Sequence, residues 1–357
     1  MILSRSVAAA FLASCLAAGA ASAADRIPVR VVVITTFEIG NDAGDAPGEF
    51  QNWVERFPLP QHVPFPQGYR DLRYNADKQV LGIVTGEGGL HAAASIMALG
   101  LDPRFDLSHA YWVLAGIAGI DPAAGSVGSA AWAKYAVDGD LAYEIDAREI
   151  PSDWSTGYVP LGRDAPYKRP APAASTINGT SVYTLNAGLV DWAYALTRSV
   201  TLPDDTNLQK VRAPYTDQPV ARKPPFVLEG DTLSASTFWV GARMNAWAEG
   251  WVKYWTNGAA TFATTAEEDT GVMQAITFLA QVHRADPRRV LLLRTASDYS
   301  VPPPGETAAQ LLASDNDGGL SGFTESLNAA YLVGSKVVNE LSRGWSRYDA
   351  TIPGVPQ

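Results

Sequence analysis

Between positions 79 and 121 the chain reads QVLGIVTGEGGLHAAASIMALGLDPRFDLSHAYWVLAGIAGID, and no other stretch narrows the fold class as far. Val80 to Val84 is a short apolar run, as in a strand buried on both faces. Thr85-Gly86-Glu87-Gly88-Gly89 breaks that run with a sharp turn. His91 to Leu99 is alanine-rich and meets Gly100, which predicts a helix with a glycine stop. Asp102-Pro103 turns the chain again, and Tyr111 to Leu114 is a second apolar strand. Strand, helix and strand in this order make a parallel, right-handed unit. Small ligands in such sheets lie beyond the carboxyl ends of the strands. Both glycine clusters, Gly86-Gly88-Gly89 and Gly116-Gly119, are expected at those ends.

The remaining segments fit around that unit. Val29 to Thr36 (VRVVVITT) is a β-branched core strand. Phe37 to Phe65, with Pro47, Pro58, Pro60 and Pro64, reads as a long loop arching over its end. Ser129 to Val137 is a further strand. From about 151 to 230 prolines cluster, and this part is expected to be an insertion on the core. Trp247, Trp251 and Trp255 recur at four-residue spacing, which places one aromatic stripe of a helix in the core. Glu268 to Val282 is predicted helical, with acidic residues at its start. Val290 to Leu293 is the last core strand, with Arg294-Thr295-Ala296-Ser297-Asp298 at its carboxyl end, and Leu327 to Leu341 is a closing helix. The expected architecture is a single α/β domain over 25–357, with a mixed, largely parallel twisted sheet flanked by helices.

Charge and termini limit the function. A net charge of −10 disfavours nucleic acid and anionic membranes as partners. Residues 1–24 have a basic start, an apolar stretch and Ala21-Ser22-Ala23, the pattern of a cleaved secretory signal. Leu12-Ala13-Ser14-Cys15 is a rival, lipoprotein-like reading of the same segment. Cys15 is the only cysteine, so the mature chain has neither disulfide nor thiol chemistry, which suits a bacterial periplasm. After the signal no apolar run approaches the roughly 20 residues of a spanning helix. A soluble periplasmic or secreted protein is expected.

Common motifs are missing. Gly86-Glu87-Gly88-Gly89-Leu90-His91 has histidine where a dinucleotide fingerprint needs its third glycine, and Glu87 would repel a pyrophosphate. There is no GxxxxGK(S/T) or HExxH, and Gly319-Leu320-Ser321-Gly322-Phe323 fails the GxSxG pattern. His62, His91, His109 and His283 lack ligand spacing, so no metal is expected. Two acidic places remain. Glu267-Glu268-Asp269 opens a helix, where capping alone would explain it, and Ser297-Asp298 closes a strand, where a loop cap would.

Taken in order, these segments resemble the purine nucleoside permease family, itself similar to purine nucleoside phosphorylases and methylthioadenosine nucleosidases. The resemblance rests on Val31 to Glu38 (VVVITTFE), on Thr85-Gly86-Glu87-Gly88-Gly89 with Ala92-Ala93-Ala94, and on Leu114-Ala115-Gly116-Ile117-Ala118-Gly119. It continues through Glu268-Asp269-Thr270-Gly271 and Ala296-Ser297-Asp298. It implies that Glu268, with Asp269 and Thr270 beside it, holds the ribose. It implies that Asp298, oriented by Ser297, protonates the leaving purine, and that Glu38 positions a water. Gly86, Glu87, Gly88 and Gly116 would line the sugar and its nucleophile. Where relatives place a methionine before the ribose glutamate, this chain has Glu267. The glycine segments carry no arginine for phosphate, for which Arg56, Arg243 or Arg294 would have to substitute. No cofactor is implied, inorganic phosphate stays open as a co-substrate, and phosphorolysis and hydrolysis both stay open. The alternative is a non-catalytic nucleoside-binding protein that assists transport with a membrane partner. The related enzymes are oligomers, so a homo-oligomer is also expected.

Overall fold

A computed structural model describes residues 26–172, 181–317 and 319–355 of the chain. The signal segment with Cys15 and positions 173–180 of the proline-rich part lie outside the described residues.

The structure is an α/β domain built on one mixed sheet, with strands β1 (Val31–Thr35), β2 (Val80–Val84), β3 (Tyr111–Ile120), β4 (Ala130–Ala133), β5 (Asp231–Ser234), β6 (Phe262–Ala266) and β7 (Val290–Tyr299) at its centre. The helices that matter for the site are α1 (Gly89–Leu101), α2 (Ala242–Trp255), α3 (Asp269–Gln281), α4 (Ala308–Asp317) and α5 (Phe323–Arg343).

β3 is the hub. Its first residues pair in parallel with β1, from Val31↔Tyr111 to Ile34↔Leu114. Its last two turn to β6 instead, antiparallel, through Thr265↔Gly119 and Thr264↔Ile120. Along its other edge it pairs in parallel with β7. β7 in turn pairs antiparallel with β4, and β2 extends the parallel core beyond β1. Every residue of β1, β2 and β7 is buried, which is why β1, β2 and the Val290–Leu293 part of β7 read as apolar runs. α5 lies along β7 and β3 and buries Leu327, Ala330, Val333, Val337 and Leu341, a helical stripe.

The expected strand–helix–strand unit is present, with different boundaries. The second strand does not stop at Leu114 but runs to Ile120, so Gly116 and Gly119 lie inside it. Space is the reason. A Cβ on Gly116 would sit 2.6 Å from the Arg294 guanidinium and 2.7 Å from Glu49 Oε1, and one on Gly119 would sit 3.1 Å from Asp298 Oδ2. The last strand likewise extends past Leu293 to Tyr299, so Ser297 and Asp298 belong to it. Against β3 its register slips between Ala296 and Asp298, a bulge centred on Ser297.

The expected loop over 37–65 is also shorter than foreseen. It contains a helix at Gln51–Arg56 and a strand at Gln61–Val63, because Phe50, Trp53 and Phe57 are buried rather than arching over solvent. The tryptophan stripe of α2 is core, as its spacing predicts. Trp247 and Trp251 pack tilted, and Trp251 and Trp255 edge to face, each with ring centroids 5.8 Å apart.

Candidate active site

Where β1, β3, β6 and β7 end, a buried guanidinium gathers three acids. Arg294 is 1% exposed. It donates to Glu268 Oε2 at 2.8 Å and to Asp269 Oδ1 at 2.9 Å. Its remaining nitrogen donates to the Ile117 carbonyl at 3.0 Å. Glu49 also lies in its field. One oxygen of Glu49 accepts from the Ile117 N–H at 2.7 Å and the other from the Thr36 N–H at 2.6 Å. Burial pushes the Glu49 carboxyl up to about 7, with Arg294 pulling the other way.

Glu268 is fixed on both sides. Its second oxygen accepts from the Gly88 N–H at 3.0 Å, in the turn that opens α1. That turn needs glycine, because Gly86 and Gly88 have φ of 87° and 84°. The starts of α1 and α3 also approach so closely that a Cβ on Gly271 would meet the Gly89 carbonyl at 2.3 Å. Asp269 faces away from the opening and takes a further bond from Thr232 Oγ1 at 2.8 Å.

Asp298 is 2% exposed. Burial raises its carboxyl to about 6, against the hydrogen bond from Ser297 Oγ at 2.7 Å. Between Asp298 and the Arg294 cluster lies a cavity of about 290 Å³. Its polar walls include Glu49, Glu87, Glu267, Glu268, Ser297 and Asp298; its apolar walls include Phe37, Ile117, Phe238, Leu320 and Phe323. Phe37 and Phe323 stand 5.9 Å apart, and Phe238 is 45% exposed at the rim. Glu267 is raised to about 7 by burial and then by Glu268 and Glu87 beside it. Among the described residues no lysine or arginine lines this cavity.

The geometry therefore joins Glu268, Ser297, Asp298 and Glu87 around one opening. It does not bring Glu38 there. The Glu38 carboxylate is taken up by the backbone N–H groups of Ile39, Gly48, Phe50 and Gln51, and holds the loop that leads into the Gln51–Arg56 helix. Glu49, from that same loop, is the acid that faces the cavity. Thr270 bonds Ser234 Oγ through its N–H and hydroxyl and stands off the wall, as does Asp269. Gly86, Gly88 and Gly116 shape the neighbouring turns and side chains without lining the cavity themselves. Of the three arginines considered for phosphate, only Arg294 is near, and carboxylates occupy it.

These raised carboxyls give a stability prediction. Folding lifts Glu49 and Glu267 from 4.5 to about 7 and Asp298 from 3.8 to about 6. Groups raised on folding contribute fully at low pH, and that contribution is lost as pH climbs through the folded values. The thermal midpoint should therefore fall between about pH 4 and pH 7 and level off above that. Differential scanning calorimetry across that window checks this; a rising midpoint would contradict it.

Solved structures place the fold. The chain matches a 5′-methylthioadenosine/S-adenosylhomocysteine nucleosidase of Helicobacter pylori with a TM-score of 0.51 at 14% identity, covering 87% of this chain and 98% of that one. It matches a Helicobacter pylori futalosine hydrolase with a TM-score of 0.50 at 14% identity, covering 87% and 97%. The chain thus has an α/β fold of the nucleosidase class. Residues 28–353 match the family described as Purine nucleoside permease (NUP). A Candida albicans purine nucleoside permease is 31% identical over 301 residues, 83% of this chain and 72% of that protein. A probable purine nucleoside permease of Schizosaccharomyces pombe is 32% identical over 286 residues, 78% and 80% respectively. The chain belongs to the purine nucleoside permease family.

Proposed function

We propose that this protein takes up a purine nucleoside in the cavity between Glu268 and Asp298 and hydrolyses its N-glycosidic bond. The observation that carries the reading is the pairing, around one small hollow, of a fixed carboxylate and a dry carboxyl. Cleavage passes through an oxocarbenium-like ribosyl cation. Glu268, held by Gly88 and Arg294, is an acceptor whose hydrogen bonds to ribose hydroxyls strengthen as that charge develops. Asp298, whose carboxyl burial raises to about 6, gives its proton to the purine N7 as the C1′–N9 bond breaks. A water attacks C1′ and passes its proton to Glu49, leaving free base and ribose. The phenylalanines at the walls suit a flat purine.

Water is favoured over phosphate by charge. Five carboxyl groups, Glu49, Glu87, Glu267, Glu268 and Asp298, line the hollow, and the nearby guanidinium is already shared. An anionic nucleophile would enter against that field. The solved neighbours named as nucleosidase and hydrolase support a hydrolytic chemistry.

The name carried by the family points to uptake. Among the described residues no helix is long and apolar enough to cross a membrane. We place the protein outside the cytoplasmic membrane, freeing or capturing nucleoside for a separate transporter. A binder without turnover is the second reading, favoured only by that name.

One experiment separates them. The full chain with inosine or adenosine should release base without phosphate, and added phosphate should not accelerate it. The pH profile should be bell-shaped, with limbs near 6 and 7 from Asp298 and Glu49. Release that requires phosphate would make it a phosphorylase, and tight binding without release a receptor.

A further inference from the structure

Glu38 stands outside the cavity, yet its bonds close around the acid that faces it. Its side chain is buried. Its Oε1 accepts from the N–H groups of Ile39 at 2.9 Å and Gly48 at 2.5 Å. Its Oε2 accepts from those of Phe50 at 2.7 Å and Gln51 at 2.6 Å. The N–H of Glu49, between them, donates to the Phe37 carbonyl at 3.3 Å. Four successive N–H groups, from 48 to 51, therefore end on Phe37 or Glu38. The Gln51–Arg56 helix begins here, and Phe50 before it has no side-chain oxygen to cap it. Glu38 supplies the missing acceptor from across the loop.

The fit leaves little slack. A Cβ on Gly48 would sit 2.7 Å from Glu38 Cα and 2.9 Å from Glu38 Oε1. Arg70 donates to the carbonyls of Glu38 and Gly40 at 2.9 Å each, and Arg73 donates to Asp42 at 2.7 Å. These outer bonds end at Asp42 and do not reach residues 48 to 51. With its backbone held on both sides, Glu49 extends its carboxyl to the N–H groups of Thr36 and Ile117. A base that takes a proton from water must be placed this closely, because an error of about 1 Å costs roughly a hundredfold in rate.

We propose that Glu38 is the positioning residue for Glu49: its carboxylate gathers the backbone on both sides of Glu49 and so sets where that acid meets the attacking water. Its effect on turnover rests on the hydrolytic reading; its hold on Glu49 does not. Glu38→Gln keeps the size of the side chain but turns an NH₂ group toward N–H groups that need an acceptor. Gly48→Ala disturbs the same anchor from the opposite side and leaves Glu38 in place. Arg294 and Glu268, the charges that act on Glu49, are unchanged in both.

Each variant should lower kcat for base release by about a hundredfold while KM changes by no more than a few-fold. Adding Glu38→Gln to Glu49→Gln should cost nothing further in kcat, because the group it places is gone. A second readout needs no turnover. Glutamate side-chain carboxyls are labelled with carbon-13 in the full chain and followed by NMR against pH, with Glu49→Gln identifying the Glu49 signal. In Glu38→Gln and Gly48→Ala, Glu49 should ionise at lower pH than in the parent protein, because a loosened loop lets water reach it. Cooperative thermal unfolding checks that the variants are folded, and Gly48→Ala carries both readouts if Glu38→Gln is not. A Glu49 signal that titrates as in the parent, or a double variant much slower than Glu49→Gln alone, overturns the proposal. Absence of base release from every protein would instead remove the hydrolytic reading, and the titration would still decide whether Glu38 holds Glu49.

Discussion

Asp298→Asn should lower kcat for base release by about a thousandfold while nucleoside affinity changes by no more than a few-fold. The amide keeps the size of the side chain and its contact with Ser297, yet has no proton to give. The purine would then have to leave as an anion. The effect should be confined to turnover, because Glu268, proposed to hold the ribose, and the phenylalanine walls are untouched. Single-turnover kinetics and calorimetric binding on the same preparation separate the two quantities. Equal losses in both would mean that Asp298 serves binding alone.

The largest loss of stability should come from Arg294→Met. The methionine fills much of the space but leaves Glu268, Asp269 and Glu49 buried with no cation among them. Removing one partner of a buried ionic cluster costs about 3–5 kcal/mol, because the remaining charges stay desolvated. Urea denaturation at pH 7 should show this as a lower midpoint with little change in slope. The deficit should shrink toward pH 5, where protonation relieves the uncompensated acids. A loss below about 1 kcal/mol would mean that these carboxyls are satisfied by backbone N–H groups without the guanidinium.

Much of this arrangement is legible in the chain itself, for identifiable reasons. The β1, β2 and β7 strands are buried on both faces, so their apolar runs are unambiguous. Asp298 follows the apolar run Val290–Leu293 within β7, and Glu268 is the residue before α3, so position along the chain nearly fixes position in space. Glu49 does not, because it lies in an aromatic, proline-rich connection whose path depends on where Phe50, Trp53 and Phe57 find cover. Either Glu38 or Glu49 could have faced the hollow, and the choice falls to whichever meets the amides of the turn. A signal was present in the apolar spacing of Phe50, Trp53 and Phe57, which marks a short helix and makes Glu49 the acid before it. Arg294 was hidden differently. It sits in an apolar strand and suggests a phosphate ligand until the three acids around it are seen together.

The bulge at Ser297 makes the chemistry depend on a miscount. A regular strand alternates its side chains, so removing a single residue there would exchange the layers that all later side chains occupy. Asp298 would then point away from the cavity it now lines. Sequence drift in this strand can therefore change letters but not length, whereas the turns on either side are free to grow.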